Sequence, residues 1–247
     1  MAALDLSEPL PSDLPSVDAV IHLAQANTTF PEGANELFRV NTASTQELLD
    51  YARRVGAEIF VYASSGTVYG FGEHPFRETD PVVPHDFYAV TKIGGEQLVS
   101  TYSRYFRTVV FRFFAPYGPG QKRRLIPGLI DRVRTGTPVT LRDGGRPRMN
   151  PIYVADVVGV LKAALDLEQS CVVNVAGRDI VGIRELAWLV AKAVGRDPVF
   201  EDHPADAPGD LVAATKRLHK LFDLGDSIGI EEGVRRTAAA VLTEPVF

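Results

Sequence analysis

The chain has 247 residues, 26 Lys and Arg against 31 Asp and Glu, a net charge of -5 and 45% apolar residues. That is enough for one good core, or a core plus a small lobe, and the acidic balance argues against nucleic acid as a partner. A single cysteine, Cys171, rules out an internal disulfide and suits a reducing cytoplasm, and its apolar run CVVNVAG makes it a buried structural residue. The opening MAALDLSEPLPSDLP is acidic and proline-rich, unlike a signal peptide, and no apolar stretch reaches membrane-spanning length.

In chain order, DAVIHLAQA (residues 18–26) reads as the first strand, followed by a helix over residues 41–55. EIFVYASS (58–65) is the second strand and ends on small polar residues. Pro81, Pro84 and an N-cap at Asp86 announce a helix over residues 88–106, and TVVFRFFAPYG (108–118) is a third strand. Near-continuous apolar strands separated by helical patterns predict an α/β fold with a Rossmann-like parallel sheet, covered on both faces and binding ligands at the carboxyl edge. The basic cluster QKRRL (121–125) opens a further helix, as a solvated face or a phosphate contact. Five histidines show no ligand spacing, so no metal site is expected, and His22 reads as a packed or hydrogen-bonded strand residue.

Chemistry concentrates in YAVTK and in the SSG that ends the second strand. Tyr88 and Lys92 are four residues apart and share one helix face. A phenol titrates near ~10, and a neighbouring ammonium lowers that value, so Tyr88 can exchange a proton with a substrate alcohol near neutrality. Ser65, at the carboxyl end of its strand, would hold the reacting oxygen.

These motifs, with VIHLA, VNTASTQELL, FRFFAPYGPGQ and NPIYVADVV, resemble the extended short-chain dehydrogenase/reductases, and among them the NAD-dependent epimerase/dehydratase group that includes nucleotide-sugar epimerases. The resemblance covers nearly the whole chain. It implies an NAD or NADP cofactor touching Leu23, Ala24, Asn41, Ala63, Ser64, Tyr88, Lys92 and Phe114. It implies a substrate, foremost a nucleotide sugar, near Ser65, Thr67, Ala115, Gln121 and Arg148. It also implies a homodimer through the helices of residues 41–55 and 88–106, where Gly94 and Gly95 would permit close approach.

Four departures qualify that resemblance. The family opens with a strand, a glycine-rich turn and a helix that takes the cofactor pyrophosphate, whereas residues 1–17 carry no glycine, and Leu4-Asp5-Leu6 looks like the stub of a later strand. The expectation is an N-terminally truncated Rossmann-like part (1–114) with a smaller substrate-side α/β lobe (115–247), impaired cofactor binding, and a first strand at the sheet edge. Residues 1–15 or a neighbouring molecule would shield that edge, and the isolated chain would tend to self-associate. Ala115 stands where many relatives have an asparagine, and Arg148 is one residue out of register with the family's diphosphate-gripping arginine. Gly66 and Thr67 replace the acid pair of the sugar dehydratases, which argues against 4,6-dehydration. The leading reading is an NAD(P)-dependent epimerase or oxidoreductase acting on a secondary alcohol or ketone; the alternative is a non-catalytic relative binding a ligand or partner through the same cleft.

Overall fold

The computed structural model describes residues 4–205 and 208–243. Its main sheet has four strands in the order β1-β2-β3-β5: β1 (Ala19–His22), β2 (Ile59–Ser65), β3 (Arg107–Phe113) and β5 (Cys171–Val175). β1 runs parallel to β2 and β2 parallel to β3, with Ala19 opposite Ile59 and Ser65 opposite Phe113. The fold is therefore α/β with a Rossmann-like parallel sheet. IFVYASS and RTVVFRF are rich in aromatic and β-branched residues, and their central positions are fully covered, as strands need when helices lie on both faces.

β1 lies at the sheet edge, as expected, but it is shorter than residues 18–26. Past His22 the chain leaves β2, and the Ala26 N–H is taken by the Asn41 side chain at 2.9 Å. Ile21 and Leu23 are 39% and 49% exposed. The expected shield is not supplied by residues 4–15: Leu10 N donates to Glu47, the Tyr51 hydroxyl donates to Pro15 O, and Arg39 donates to Ser7 O, so this stretch lies along the helices. Residues 1–3 are outside the described residues. Leu4-Asp5-Leu6 is not a strand either; the Asp5 carboxylate accepts from both the N–H and the hydroxyl of Ser7, closing a turn instead.

The first helical region starts earlier than residue 41, with α1 (Ala34–Phe38) and a π-helical turn (Arg39–Ala43) leading into α2 (Ser44–Val55), which ends at Gly56 in the left-handed region (φ 75°). α3 (Phe87–Tyr102) is capped by Asp86, whose carboxylate accepts from Ala89 N at 2.7 Å, and it stops four residues short of 106. β3 ends at Phe113 rather than 118 because Ala115 has φ 44° and Pro116 has no N–H to donate. Gly94 and Gly95 serve the chain's own packing. A Cβ at Gly95 would sit 2.1 Å from the Tyr62 hydroxyl, and one at Gly94 would press on Thr42. Cys171, expected to be buried, is half-buried at the start of β5.

The chain forms two compact units: the first is Met1–Gly70, Glu78–Phe113 and Val160–Asn174, the second Phe71–Arg77, Phe114–Gly159 and Val175–Phe247. The core of the first is built by Leu49, Ala52, Phe60, Tyr62, Val99, Phe106 and Val110, between the sheet and α2 and α3. In the second, α4 (Leu125–Thr135), α6 (Ile183–Val194) and α8 (Ile230–Thr243) pack around Ile130, Leu186, Val190 and Val234. A parallel pair completes it, β4 (Val139–Arg142) with β6 (Phe200–His203). α5 (Val154–Ala164) follows β4, and α7 (Lys216–Leu221) precedes α8. QKRRL only leads up to α4, whose first residue is Leu125.

Candidate active site

α3 delivers Tyr88 on its first turn and Lys92 on its second. Their spacing places the Lys92 Nζ 5.8 Å from the Tyr88 ring centre and 5.2 Å from that of Tyr62 on β2. Lys92 is 1% exposed. Burial pulls its ammonium down to about 8, against an upward pull from Glu96. Its Nζ donates to the Ala63 carbonyl at 2.8 Å, and among the described residues the other two N–H groups have no acceptor. The Tyr88 hydroxyl donates to the side-chain amide oxygen Oε1 of Gln25 at 2.7 Å.

Ser65 ends β2, where its hydroxyl caps a 3-10 turn (Gly66–Tyr69) by accepting from Thr67 N and pairs with the Thr67 hydroxyl at 2.9 Å. The preceding residue is anchored from behind. The Ser64 hydroxyl donates to Glu96, and Arg112 on β3 grips the same carboxylate with two N–H groups, at 3.0 and 2.6 Å. Arg112 also donates to the Tyr69 hydroxyl at 2.7 Å, which in turn donates to Asn174. Burial opposes the charge on Arg112, but its bonds to Glu96 prevail and hold it firmly cationic. Three successive residues at the end of β2 thus divide the work. Ala63 accepts from Lys92, Ser64 anchors the strand, and Ser65 presents the candidate substrate-binding hydroxyl.

Sequence reasoning missed Gln25, Glu96 and Arg112 as members of this site. Glu96 had a legible signal, since Tyr88, Lys92 and Glu96 repeat every four residues along one face of α3. Gln25 had none, because its contact depends on where the chain turns after β1. His22 is packed and hydrogen-bonded as expected, 4% exposed with Nε2 3.1 Å from the Thr45 hydroxyl, and burial drops its pKa to about 4, so it is neutral.

Leu23 and Ala24 are exposed just beyond β1. Asn41 is fully buried, and its amide is spent within the protein, accepting from Ala26 N and donating to the Thr91 hydroxyl at 3.0 Å. Phe114, Ala115, Gln121 and Arg148 belong to the second unit. There Phe114 is buried, Gln121 donates to Pro116 O at 2.9 Å, and Arg148 is an exposed side chain whose backbone N–H is held by Asp210. Among the described residues no cluster of His, Cys, Asp or Glu is arranged to hold a metal, and no helix is long and apolar enough to cross a membrane.

Comparison with known proteins places this geometry in context. Residues 4–176 match the model of the NAD dependent epimerase/dehydratase family. An uncharacterised UDP-glucose epimerase, YtcB, of Bacillus subtilis is 27% identical over 244 residues, which is 95% of this chain and 77% of the relative. Among solved structures, MoeE5 in complex with UDP-glucuronic acid and NAD superposes with a TM-score of 0.82 at 26% identity, over 92% of this chain and 79% of that one. The Thermus thermophilus UDP-glucose 4-epimerase complex with NAD gives 0.76 at 28% identity, over 92% and 78%.

Proposed function

Because the chain belongs to the NAD-dependent epimerase/dehydratase family, we propose that it is an NAD(P)-dependent epimerase or oxidoreductase acting on a secondary alcohol of a nucleotide sugar, with Tyr88, Lys92 and Ser65 as its chemical centre. The observation that carries the proposal is Lys92: a buried ammonium beside the Tyr88 ring, with two N–H groups lacking acceptors among the described residues. Those donors suit the ribose hydroxyls at the nicotinamide end of the cofactor, beside the exposed Leu23 and Ala24 at the edge of the sheet. When bound, the cofactor supplies reversible hydride transfer.

The residues of this chain do the rest. Ser65 donates a hydrogen bond to the reacting oxygen, and Tyr88 takes the hydroxyl proton as hydride leaves the same carbon, returning it in the reverse step. Lys92 stabilises the Tyr88 phenolate through its charge. Dehydration is not part of the proposal, because Gly66 and Thr67, directly after Ser65, offer no carboxylate. A homodimer through α2 and α3 is included in it; Val90, half exposed on α3, is available for such a contact.

Incubation of the purified chain with millimolar NAD and UDP-glucose or UDP-glucuronic acid, followed by proton NMR of the sugar, tests the proposal. Inversion at one sugar carbon, or stoichiometric NADH with a keto-sugar, is the expected result. Recovery of unchanged sugar across a panel of nucleotide sugars would remove the catalytic reading and leave a ligand-binding protein.

A further inference from the structure

Gln25 is a surface residue in the loop that follows β1, yet its side chain meets the hydroxyl on which the proposed chemistry turns. The Tyr88 Oη donates to Gln25 Oε1 at 2.7 Å. The placement is built into the fold rather than left to a mobile side chain. The next residue, Ala26, is 6% exposed, and its N–H is held by the Asn41 carboxamide oxygen. Asn41 Nδ2 donates to the Thr91 hydroxyl, and the Thr91 hydroxyl donates to the Tyr88 carbonyl at 2.7 Å. The loop bearing Gln25 and the helical turn bearing Tyr88 are therefore tied to each other through two buried polar side chains, and the Gln25–Tyr88 bond closes that circuit.

A primary amide is suited to this place because it offers an acceptor oxygen and a donor NH2 on one plane. Facing a phenol it accepts; facing a phenolate it donates after a half-turn about its last side-chain bond. A carboxylate could do only the first, an ammonium only the second. Resting on the reading of Tyr88 as the proton-transfer residue, we propose that Gln25 is a positioning residue that keeps the Tyr88 oxygen in place in both of its proton states. Charged and titratable groups beside Tyr88 include Lys92 on α3, 5.8 Å from its ring centre, and Tyr62 on β2, whose pKa Tyr88 helps to raise. Gln25 adds no charge to this set, so it holds the oxygen without fixing its protonation.

The test uses the full chain labelled with 13Cζ-tyrosine, the Tyr88 resonance being assigned by its loss in Tyr88→Phe. Gln25 is exposed, so its substitutions leave the core intact. Gln25→Glu is expected to raise the midpoint of Tyr88 ionisation by about one pH unit or more, and Gln25→Lys to lower it by a similar amount. Opposite shifts of that size mark direct contact, because a residue that acted only on folding would move both midpoints the same way or neither. Gln25→Leu, which fills the space without hydrogen bonding, is expected to lower turnover about tenfold at unchanged KM. Midpoints that stay within about 0.3 pH unit of wild type, or that move together, overturn the proposal, as does full turnover in Gln25→Leu. Wild-type turnover in Tyr88→Phe alongside opposite midpoint shifts would instead overturn the acid–base reading while confirming the contact.

Discussion

Replacing Lys92 by methionine is expected to abolish function and to make the protein more stable. Lys92 carries its charge in a site that is 1% exposed, and the difference between the ordinary lysine value of 10.5 and about 8 corresponds to roughly 3 kcal/mol of net cost, desolvation less the attraction of Glu96, borne by the folded state. Methionine keeps most of the apolar stem and removes that cost. Against it stand the donor lost by the Ala63 carbonyl, about 1 kcal/mol, and the contact with the Tyr62 ring, about 0.5–1 kcal/mol. A net gain of about 1–2 kcal/mol remains at pH 7.

The pH dependence gives this prediction its sharpest form. Below about 8 both folded and unfolded chains hold the Lys92 proton, and the wild type bears the full cost. Between about 8 and 10.5 the folded chain releases that proton while the unfolded chain keeps it, so the unfolded state binds more protons and wild-type stability rises with pH. The advantage of Lys92→Met must therefore shrink across that window. Urea unfolding of both proteins at pH 7.0 and pH 9.5 measures it. A variant less stable than wild type at neutral pH, or an advantage unchanged at high pH, would show that Lys92 is not the buried, strained cation described here.

Glu96→Gln leaves Arg112 buried without its counter-charge and is expected to cost about 3–5 kcal/mol in urea unfolding, far more than an exposed ion pair would. Gly95→Ala places a methyl group 2.1 Å from the Tyr62 hydroxyl, so Tyr62 or α3 must shift; a loss of about 1–3 kcal/mol and a moved Tyr62 ring signal are expected, and an unchanged melting temperature would dismiss the close approach.

Much of the fold was legible because buried parallel strands and capped helices write themselves locally: IFVYASS, RTVVFRF and the Asp86 cap each follow from residue type and spacing. The pairing of Tyr88 with Lys92 was legible for the same reason, as a helical repeat. Strand ends were not, because β1 stops where the chain leaves β2 after His22 and β3 where Ala115 turns left-handed, and neither is encoded by apolar periodicity. Gly94 and Gly95 signal close approach in the sequence, and the tertiary structure shows that Thr42 and Tyr62 of the same chain approach them. Gln25 and Arg112 act through contacts spanning 63 and 16 residues, which no single-chain pattern reports.

The central claim is that Tyr88 carries the proton in a hydride-coupled reaction, and the turnover of Tyr88→Phe tests it most directly. With millimolar NAD and whichever nucleotide sugar the wild type converts, the variant should keep the wild-type fold by circular dichroism and lose about a hundredfold or more in turnover, since only the transferable proton has been removed. Turnover within a few fold of wild type would contradict the assignment of this site.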